Sequence, residues 1–326
     1  MPELPEVEAL RRGLLKYLIG SKIKDIKVLN EKLVSGKGTT RKKSELKTSE
    51  FINNLVGKKI VDIRRRAKNL IIELNTGEII LVHLKMTGQL VFQSKEKVGS
   101  EGRKRKPDRE ARRLVRPEET TFSELVLGGH PIQESELKLP HKHTYIIFTL
   151  SNGTLFYNDV RQFGYVLYFK NEKILDDEKH FEKIGLEPFD ENFNLKYFTE
   201  KLKEKTTPIK KLLLDQSIVV GCGNIYCDEV LWASSVLPTR PGRSLKSYEI
   251  EKIYKNIKSI LDKAINSGGS SVANYLLADG KRGNYTDYHQ VYQRDGKPCQ
   301  FPRCKGIIQK ITFAGRGTHF CPVHQR

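Results

Sequence analysis

Near its carboxyl end the chain reads Cys299-x4-Cys304-x16-Cys321-x2-His324, and this spacing restricts folding more tightly than any other feature of the sequence. The last 28 residues are too few and too polar to bury a core, so a tail of this size orders itself around a metal. Zinc takes four tetrahedral sulfur or nitrogen ligands, and two knuckles supply them. The pattern predicts a zinc ribbon with one structural ion held by Cys299, Cys304, Cys321 and His324, and a strand over Ile307–Phe313. His319 competes for the fourth place, but it lies two residues before Cys321 and needs an awkward turn to reach the same side. Arg316, within Ala314-Gly315-Arg316-Gly317-Thr318, falls on the expected hairpin tip, where flanking glycines let the backbone approach a ligand closely. On these residues alone, a phosphate contact and a solvated turn arginine are both open.

The cysteines number five. An odd count argues against a disulfide framework and for a reducing compartment. No run approaches the ~18 uninterrupted apolar residues of a membrane span. The start, Met1-Pro2-Glu3-Leu4-Pro5-Glu6, is acidic and lacks the apolar stretch of a secretory signal. These features predict a soluble cytoplasmic protein with no membrane partner. Lys and Arg total 58 against 39 Asp and Glu, a formal net charge of +19. Such a surface attracts polyanions, and nucleic acid is the commonest intracellular one. Charge alone separates neither DNA from RNA nor an enzyme from a binder.

At 326 residues the length suits two domains with a small appendage. Pro5 fits a first helical turn. After it, Val7, Leu10, Leu14, Tyr17 and Leu18 fall near one helical face, and Gly20 is a stop. From 21 to about 93 the texture is of strands, with hairpin signals at Asn75-Thr76-Gly77 and Ser151-Asn152-Gly153. Many short strands behind one helix predict a β-sandwich or barrel. Residues 94–140 break this rhythm: Ser94 to Arg116 holds ten Lys and Arg against four Asp and Glu. That composition predicts a solvated basic insertion. From about 190 the pattern turns helical, with a glycine-rich break at Gly221-Cys222-Gly223-Asn224, a resumed helix through Trp232, and a helix over Tyr248–Ile265. The expected division is an N-terminal domain over 1–190, a helical domain over 191–290 and the ribbon over 291–326.

Particular segments carry more. They are Pro2-Glu3-Leu4-Pro5-Glu6-Val7-Glu8; Arg65-Arg66-Ala67-Lys68; His83-Leu84-Lys85-Met86-Thr87-Gly88; Asn158-Asp159-Val160-Arg161-Gln162-Phe163-Gly164; Ile209-Lys210; Gly223-Asn224-Ile225-Tyr226; Gly268-Gly269-Ser270-Ser271; Val291-Tyr292; and Gly315 through Pro322 in the ribbon. In this order, over nearly the whole chain, they resemble the formamidopyrimidine-DNA glycosylases, bifunctional base-excision repair enzymes. The resemblance implies an α+β multidomain fold: an N-terminal β-sandwich with a leading helix, then a helix–two-turn–helix bundle plus the zinc ribbon. Double-stranded DNA with a damaged base would lie in the cleft between them.

The resemblance also implies roles. Pro2, once Met1 is removed, carries a secondary α-amine that attacks C1′ of the damaged nucleoside and forms an imine. An α-amine titrates at about 7.7–8.0, far below lysine, so a neutral fraction is present at physiological pH. Glu3 would protonate the opening sugar ring, which requires a raised pKa; by itself it would be a carboxylate favoured at a helix start. Glu6 would support it. Lys68 would contact phosphate near the lesion and donate a proton in β-elimination, and Arg316 would clamp phosphate and serve δ-elimination. Met86, Arg161 and Phe163 would fill the gap left by the flipped base. His143, Arg161, Lys205, Lys210 and Asn224 would contact the DNA backbone. Gly221 and Gly223, at a helix start, would offer N–H groups to an anion. Ala278–Tyr285 resembles the loop that closes over the flipped base.

Three readings follow. The first is a glycosylase and lyase for oxidised purines, 8-oxoguanine and formamidopyrimidines. The second is an endonuclease VIII-like enzyme for oxidised pyrimidines. The third is a zinc-ribbon DNA-binding protein without catalysis. The segment Leu4–Glu8 and the Met86, Arg161, Phe163 set favour the first, and intact Pro2, Glu3 and Lys68 oppose the third. The expected state is a monomer, cytoplasmic and associated with the nucleoid.

Overall fold

The computed structural model describes residues 2–38, 41–95, 125–129, 139–177, 181–270 and 284–326. The chain opens with helix α1 (Leu4–Leu18). Its Leu4, Val7, Leu10, Leu14 and Leu18 are buried at the three- and four-residue spacing of one helical stripe. Gly20 follows at φ +82°.

Nine strands come next: β1 (Ile23–Val28), β2 (Ile60–Arg66), β3 (Asn69–Leu74), β4 (Ile79–His83), β5 (Gly88–Ser94), β6 (Leu125–Gly129), β7 (Thr144–Leu150), β8 (Gly153–Asp159) and β9 (Tyr165–Phe169). They form two antiparallel sheets, ordered β1-β7-β8-β5-β6 and β2-β3-β4-β9. Alternate side chains point inward, and Ile26, Phe148, Leu155, Leu90 and Phe92 of one sheet share a core with Ile63, Ile72, Ile80, Val82 and Val166 of the other. Each such side chain contributes about 1.5–3 kcal/mol when fully buried, which makes this sandwich core the main support of the N-terminal half. The two expected hairpin turns join β3 to β4 and β7 to β8.

Two segments depart from the expectation. Residues 45–55, read as part of a strand region, form helix α2 (Glu45–Leu55), capped by Ser44 accepting from the Lys47 N–H. Only its Phe51 and Leu55 are buried, too few to give a strong helical signature. Within the expected surface insertion, 125–129 are strand β6, paired with β5 in the register Val91↔Leu127. An edge strand gains ladder hydrogen bonds by taking a partner, and the sequence around it gives no local sign of this. Residues 96–124 and 130–138, with most of the basic run, lie outside the described residues.

The C-terminal half follows the short helix α3 (Glu172–Asp177). It contains α4 (Leu195–Leu202), α5 (Ile209–Leu214), α6 (Asn224–Ser234) and α7 (Ser247–Asn266). Phe193, Phe198, Leu213, Tyr226, Val230, Ile253, Ile257 and Leu261 form a second core. The glycine-rich break becomes the start of α6, with Gly223 as its cap. Strands β10 (Gln309–Phe313) and β11 (Arg316–Phe320) form the ribbon hairpin. The fold is the expected α+β arrangement of sandwich, helical bundle and ribbon. Among the described residues no helix is long and apolar enough to cross a membrane.

Candidate active site

The start of α1 docks onto the helical half. The Leu4 N–H donates to the Gly221 carbonyl at 3.0 Å. Gly221 sits at φ +83°, and a Cβ there would come within 2.4 Å of Leu4. Gly223 is as constrained for a different reason: a Cβ would lie 2.3 Å from the Glu3 carboxyl carbon. The glycines of this break therefore make room for residues 3 and 4. The Ile225 N–H, one of the free donors at the start of α6, donates to Glu3 Oε1 at 3.1 Å. The Gly221 N–H goes to Gln216 Oε1 at 2.9 Å. The anion held at this helix start is thus the protein's own Glu3.

Pro2 and Glu3 are both buried. Among the described residues Glu3 Oε2 has no hydrogen-bond partner. Burial pushes the Glu3 carboxyl up to about 7, helped by the nearby Glu6, while Lys68, the Ile225 N–H and the N-terminal charge act the other way. A carboxyl at that value is divided between acid and carboxylate at neutral pH, as a general acid must be. Glu6 Oε2 accepts the Glu3 N–H at 2.8 Å, the reverse half of a capping box. Glu6 Oε1 is held by the Tyr226 hydroxyl at 2.6 Å and the Ser270 N–H at 2.7 Å.

Lys68 reaches the same place from the sandwich. It follows Ala67, whose φ of 53° turns β2 into β3. That turn is gripped from the segment ahead of α4: the Ala67 N–H donates to Glu187 Oε1 at 2.6 Å, and Arg65 Nη1 meets Glu187 Oε2 at 2.9 Å. The Lys68 side chain is buried, and its Nζ donates to the Cys222 carbonyl at 3.1 Å. Glu3, which adjoins the buried Pro2, and Lys68, distant from it in sequence, therefore converge on the backbone of 221–225. Two further cations gather here that sequence reasoning missed. Burial, together with the charges of Lys68 and Arg41, holds the Lys85 ammonium below its ordinary value. Lys85 stands in the quoted segment 83–88, so the signal was present without its meaning.

A second group projects beside this site. Met86 and Phe163 are 41% and 36% exposed, unusual for large apolar side chains placed together. Between them lies Arg161, with Nη1 3.1 Å from Met86 Sδ and its guanidinium 4.6 Å from the Phe163 ring centre. The two loops share one brace. Asp159 is fully buried; it accepts from the Thr87 hydroxyl and from the Gly164 N–H. Thr87 Oγ1 in turn accepts the Arg161 N–H at 2.9 Å. Asp159 lies in a quoted segment, but its role is visible only once the loops meet.

In the ribbon, the ligand atoms of Cys299, Cys304, Cys321 and His324 all lie within 4.8 Å of one another, the compactness of a tetrahedral shell. His324 Nε2 is 3.0 Å from the Trp232 carbonyl, which leaves Nδ1, 3.3 Å from Cys299 Sγ, as the metal-facing nitrogen. Trp232 Nε1 and the N–H groups of Phe301 and Gly306 donate to the sulfurs of Cys299 and Cys304. These donors fit thiolates around a cation. His319 is engaged elsewhere: its ring and its N–H both face Asp228 Oδ2.

Residues 1–166 match the formamidopyrimidine-DNA glycosylase N-terminal domain, 184–275 the formamidopyrimidine-DNA glycosylase H2TH domain, and 296–323 the zinc finger found in FPG and IleRS. The chain belongs to the formamidopyrimidine-DNA glycosylase family. It is 35% identical to the formamidopyrimidine-DNA glycosylase of Pelotomaculum thermopropionicum, over 100% of this chain and 99% of that one. It is 36% identical to the Streptococcus pneumoniae R6 enzyme of the same name, with the same coverage. Among solved structures, Lactococcus lactis Fpg bound to abasic-site DNA is similar, with 34% identity, a TM-score of 0.77 and 99% of each chain covered. So is the wild-type Lactococcus lactis Fpg with DNA containing N7-benzyl-Fapy-dG, at 34% identity, TM-score 0.77 and full coverage of both chains.

The remaining expected DNA contacts of the family set fall in different places. His143 is half-buried, with its carbonyl accepting the Asp159 N–H. Lys205 is exposed just beyond α4, and Arg316 is exposed on the ribbon tip. Asn224 Nδ2 donates to the Gly317 carbonyl at 2.9 Å, joining α6 to that tip. Lys210 departs from the expectation. It has no exposed surface, and its Nζ meets Asp228 Oδ1 at 2.6 Å and Thr318 Oγ1 at 2.7 Å. A buried ammonium needs a charged partner, and here the pair fastens the ribbon to the bundle instead of facing phosphate. The expected loop over Ala278–Tyr285 lies outside the described residues except for Asn284 and Tyr285.

Proposed function

We propose that this chain removes oxidised purines, 8-oxoguanine and formamidopyrimidines, from double-stranded DNA and then nicks the strand. Family membership supports the glycosylase; the convergence of the near-neutral Glu3, adjoining the buried Pro2, and of Lys68 on residues 221–225 supports the chemistry. After Met1 is removed, the Pro2 nitrogen attacks C1′ and the damaged base leaves with the glycosidic electron pair. Glu3 gives its proton to the ring oxygen as the sugar opens, and nitrogen and C1′ form the imine. The imine acidifies the C2′ hydrogen. Its loss expels the 3′-phosphate by β-elimination, and a second elimination expels the 5′-phosphate. Lys68 supplies protons and charge at these steps, and Arg316 clamps phosphate; guanidinium is too weak an acid to do more.

Met86, Arg161 and Phe163 would occupy the gap in the duplex, and His143, Lys205 and Asn224 would lie along its backbone. Cys299, Cys304, Cys321 and His324 would hold one structural zinc, which supplies the cross-link that orders the ribbon. The enzyme would work as a monomer.

The test is borohydride trapping on a duplex with one 8-oxoguanine opposite cytosine, with Pro2→Gly beside the wild type. The expected result is a covalent complex that maps to Pro2. Trapping only on an oxidised pyrimidine would select the endonuclease VIII-like reading, and no trapping even on an abasic site would leave a DNA-binding protein.

A further inference from the structure

One buried titratable side chain has no part in the chemistry above. His289 lies between the short 3-10 turn Tyr285–Tyr288 and the ribbon, and is 5% exposed. Its Nε2 is 3.0 Å from the Ser270 hydroxyl. Ser270 Oγ is 3.2 Å from the Tyr226 hydroxyl, which is 2.6 Å from Glu6 Oε1. Glu6 Oε2 accepts the Glu3 N–H. Four side chains from α1, α6, the turn after α7 and the pre-ribbon segment thus form one line ending at the backbone next to Pro2.

Proton counting gives the line a direction. A Glu6 carboxylate only accepts, so the Tyr226 hydrogen points to it. The Tyr226 oxygen then accepts from Ser270, whose single hydroxyl hydrogen is spent. Ser270 Oγ is left to accept, and the donor facing it is His289 Nε2–H. Every hydroxyl donates toward the carboxylate, an arrangement in which each bond polarises the next. The groups facing the imidazole are the Tyr285 and Tyr292 rings, edge-on at 5.7 and 5.6 Å, with Asp287 and His319 as the charges within reach. Burial holds His289 down at about 4, so the ring is neutral at physiological pH and the Nε2–H tautomer supplies the donor.

We propose that His289 is a positioning residue: the terminal donor of a buried chain through Ser270 and Tyr226 that orients Glu6 and thereby holds the Pro2–Glu3 backbone in place for attack. The inference deepens the proposed function and rests on it for its catalytic consequence, but the coupling itself is readable without DNA.

The experiment compares His289→Leu, His289→Gln and Ser270→Ala with the wild type in two assays. The first is amide hydrogen exchange at Glu3. The second is single-turnover borohydride trapping on an abasic duplex, with DNA affinity measured in parallel. His289→Leu fills the space without a donor, and Glu3 exchange should quicken about ten-fold, the effect of one buried hydrogen bond. Trapping should slow by a similar factor with affinity unchanged. His289→Gln keeps an N–H donor and should return both rates to within about three-fold of wild type. Ser270→Ala should match His289→Leu, and the double variant should be no worse than either. Wild-type Glu3 exchange in His289→Leu, a glutamine variant as impaired as the leucine one, or additive losses would each overturn the proposal. Faster Glu3 exchange in a protein whose wild type traps no DNA would uphold the coupling and refute the lyase reading.

Discussion

Replacing Gly223 by alanine isolates the Glu3 carboxyl without touching Glu3. The backbone there is extended, φ −130° and ψ −157°, so alanine adopts it without strain. Space is the obstacle: the new Cβ would stand 2.3 Å from the Glu3 carboxyl carbon and 2.4 and 2.7 Å from its oxygens. Ordinary carbon contact is about 3.5 Å, so the carboxyl must withdraw by about 1 Å. It is the far end of a flexible side chain, and it can do so. The loss is the Ile225 N–H bond to Glu3, about 1 kcal/mol, which lowers Tm by no more than about 4 °C in a protein of this size. A misplacement of about 1 Å costs about 100-fold in a positioned catalytic step. Gly223→Ala should therefore excise 8-oxoguanine about 100-fold more slowly in single turnover, yet cleave a pre-formed abasic site at close to the wild-type rate, because that sugar is a hemiacetal that opens to its aldehyde without an acid from Glu3. Excision within three-fold of wild type, or equal loss of both steps, would refute the assignment of Glu3 as the acid for ring opening.

Other outcomes follow from the same geometry. The Glu3 carboxyl titrates at about 7 in the folded chain against 4.5 unfolded. Excision should therefore fall as pH rises through about 7, and folding stability should fall between about 4.5 and 7, by about 3 kcal/mol at most. Glu3→Gln should flatten the stability slope in denaturant titrations across that range; an unchanged slope would place the titrating group elsewhere. Asp159→Asn, read by fluorescence of a base analogue opposite an abasic site, should release the Met86 and Arg161 loops and slow base-gap insertion about ten-fold, since one buried acceptor is exchanged for a donor. Metal removal by a strong chelator should yield one zinc per chain and weaken DNA binding by more than ten-fold, with the sandwich's own calorimetric transition retained; binding that survives in the zinc-free protein would remove the ribbon from the interface.

Much of this molecule was legible where the signal is local. The stripe of α1, the hairpins at Gly77 and Gly153 and the ribbon ligands each announce themselves within a few residues, because backbone dihedrals and metal geometry act over that range. Helix α2 was not legible, because two buried residues in eleven give no period. Strand β6 was masked by the charged run before it, and its partner β5 lies more than thirty residues upstream.

The residue types of the site were fixed in the sequence as well: a proline and a glutamate at the start, a lysine after Arg66, and three cysteines with one histidine at the end. What they do depended on burial and on neighbours from other elements, which no local pattern encodes. Glu3 is raised toward neutrality only because α1 docks on 221–225. Lys68 is aimed only because Glu187 grips its turn. Lys210 carries the same charge as Lys205, but one is sealed against Asp228 and the other faces solvent. Solvent exclusion and the distance between charges are properties of the packed chain, and the tertiary structure alone sets them.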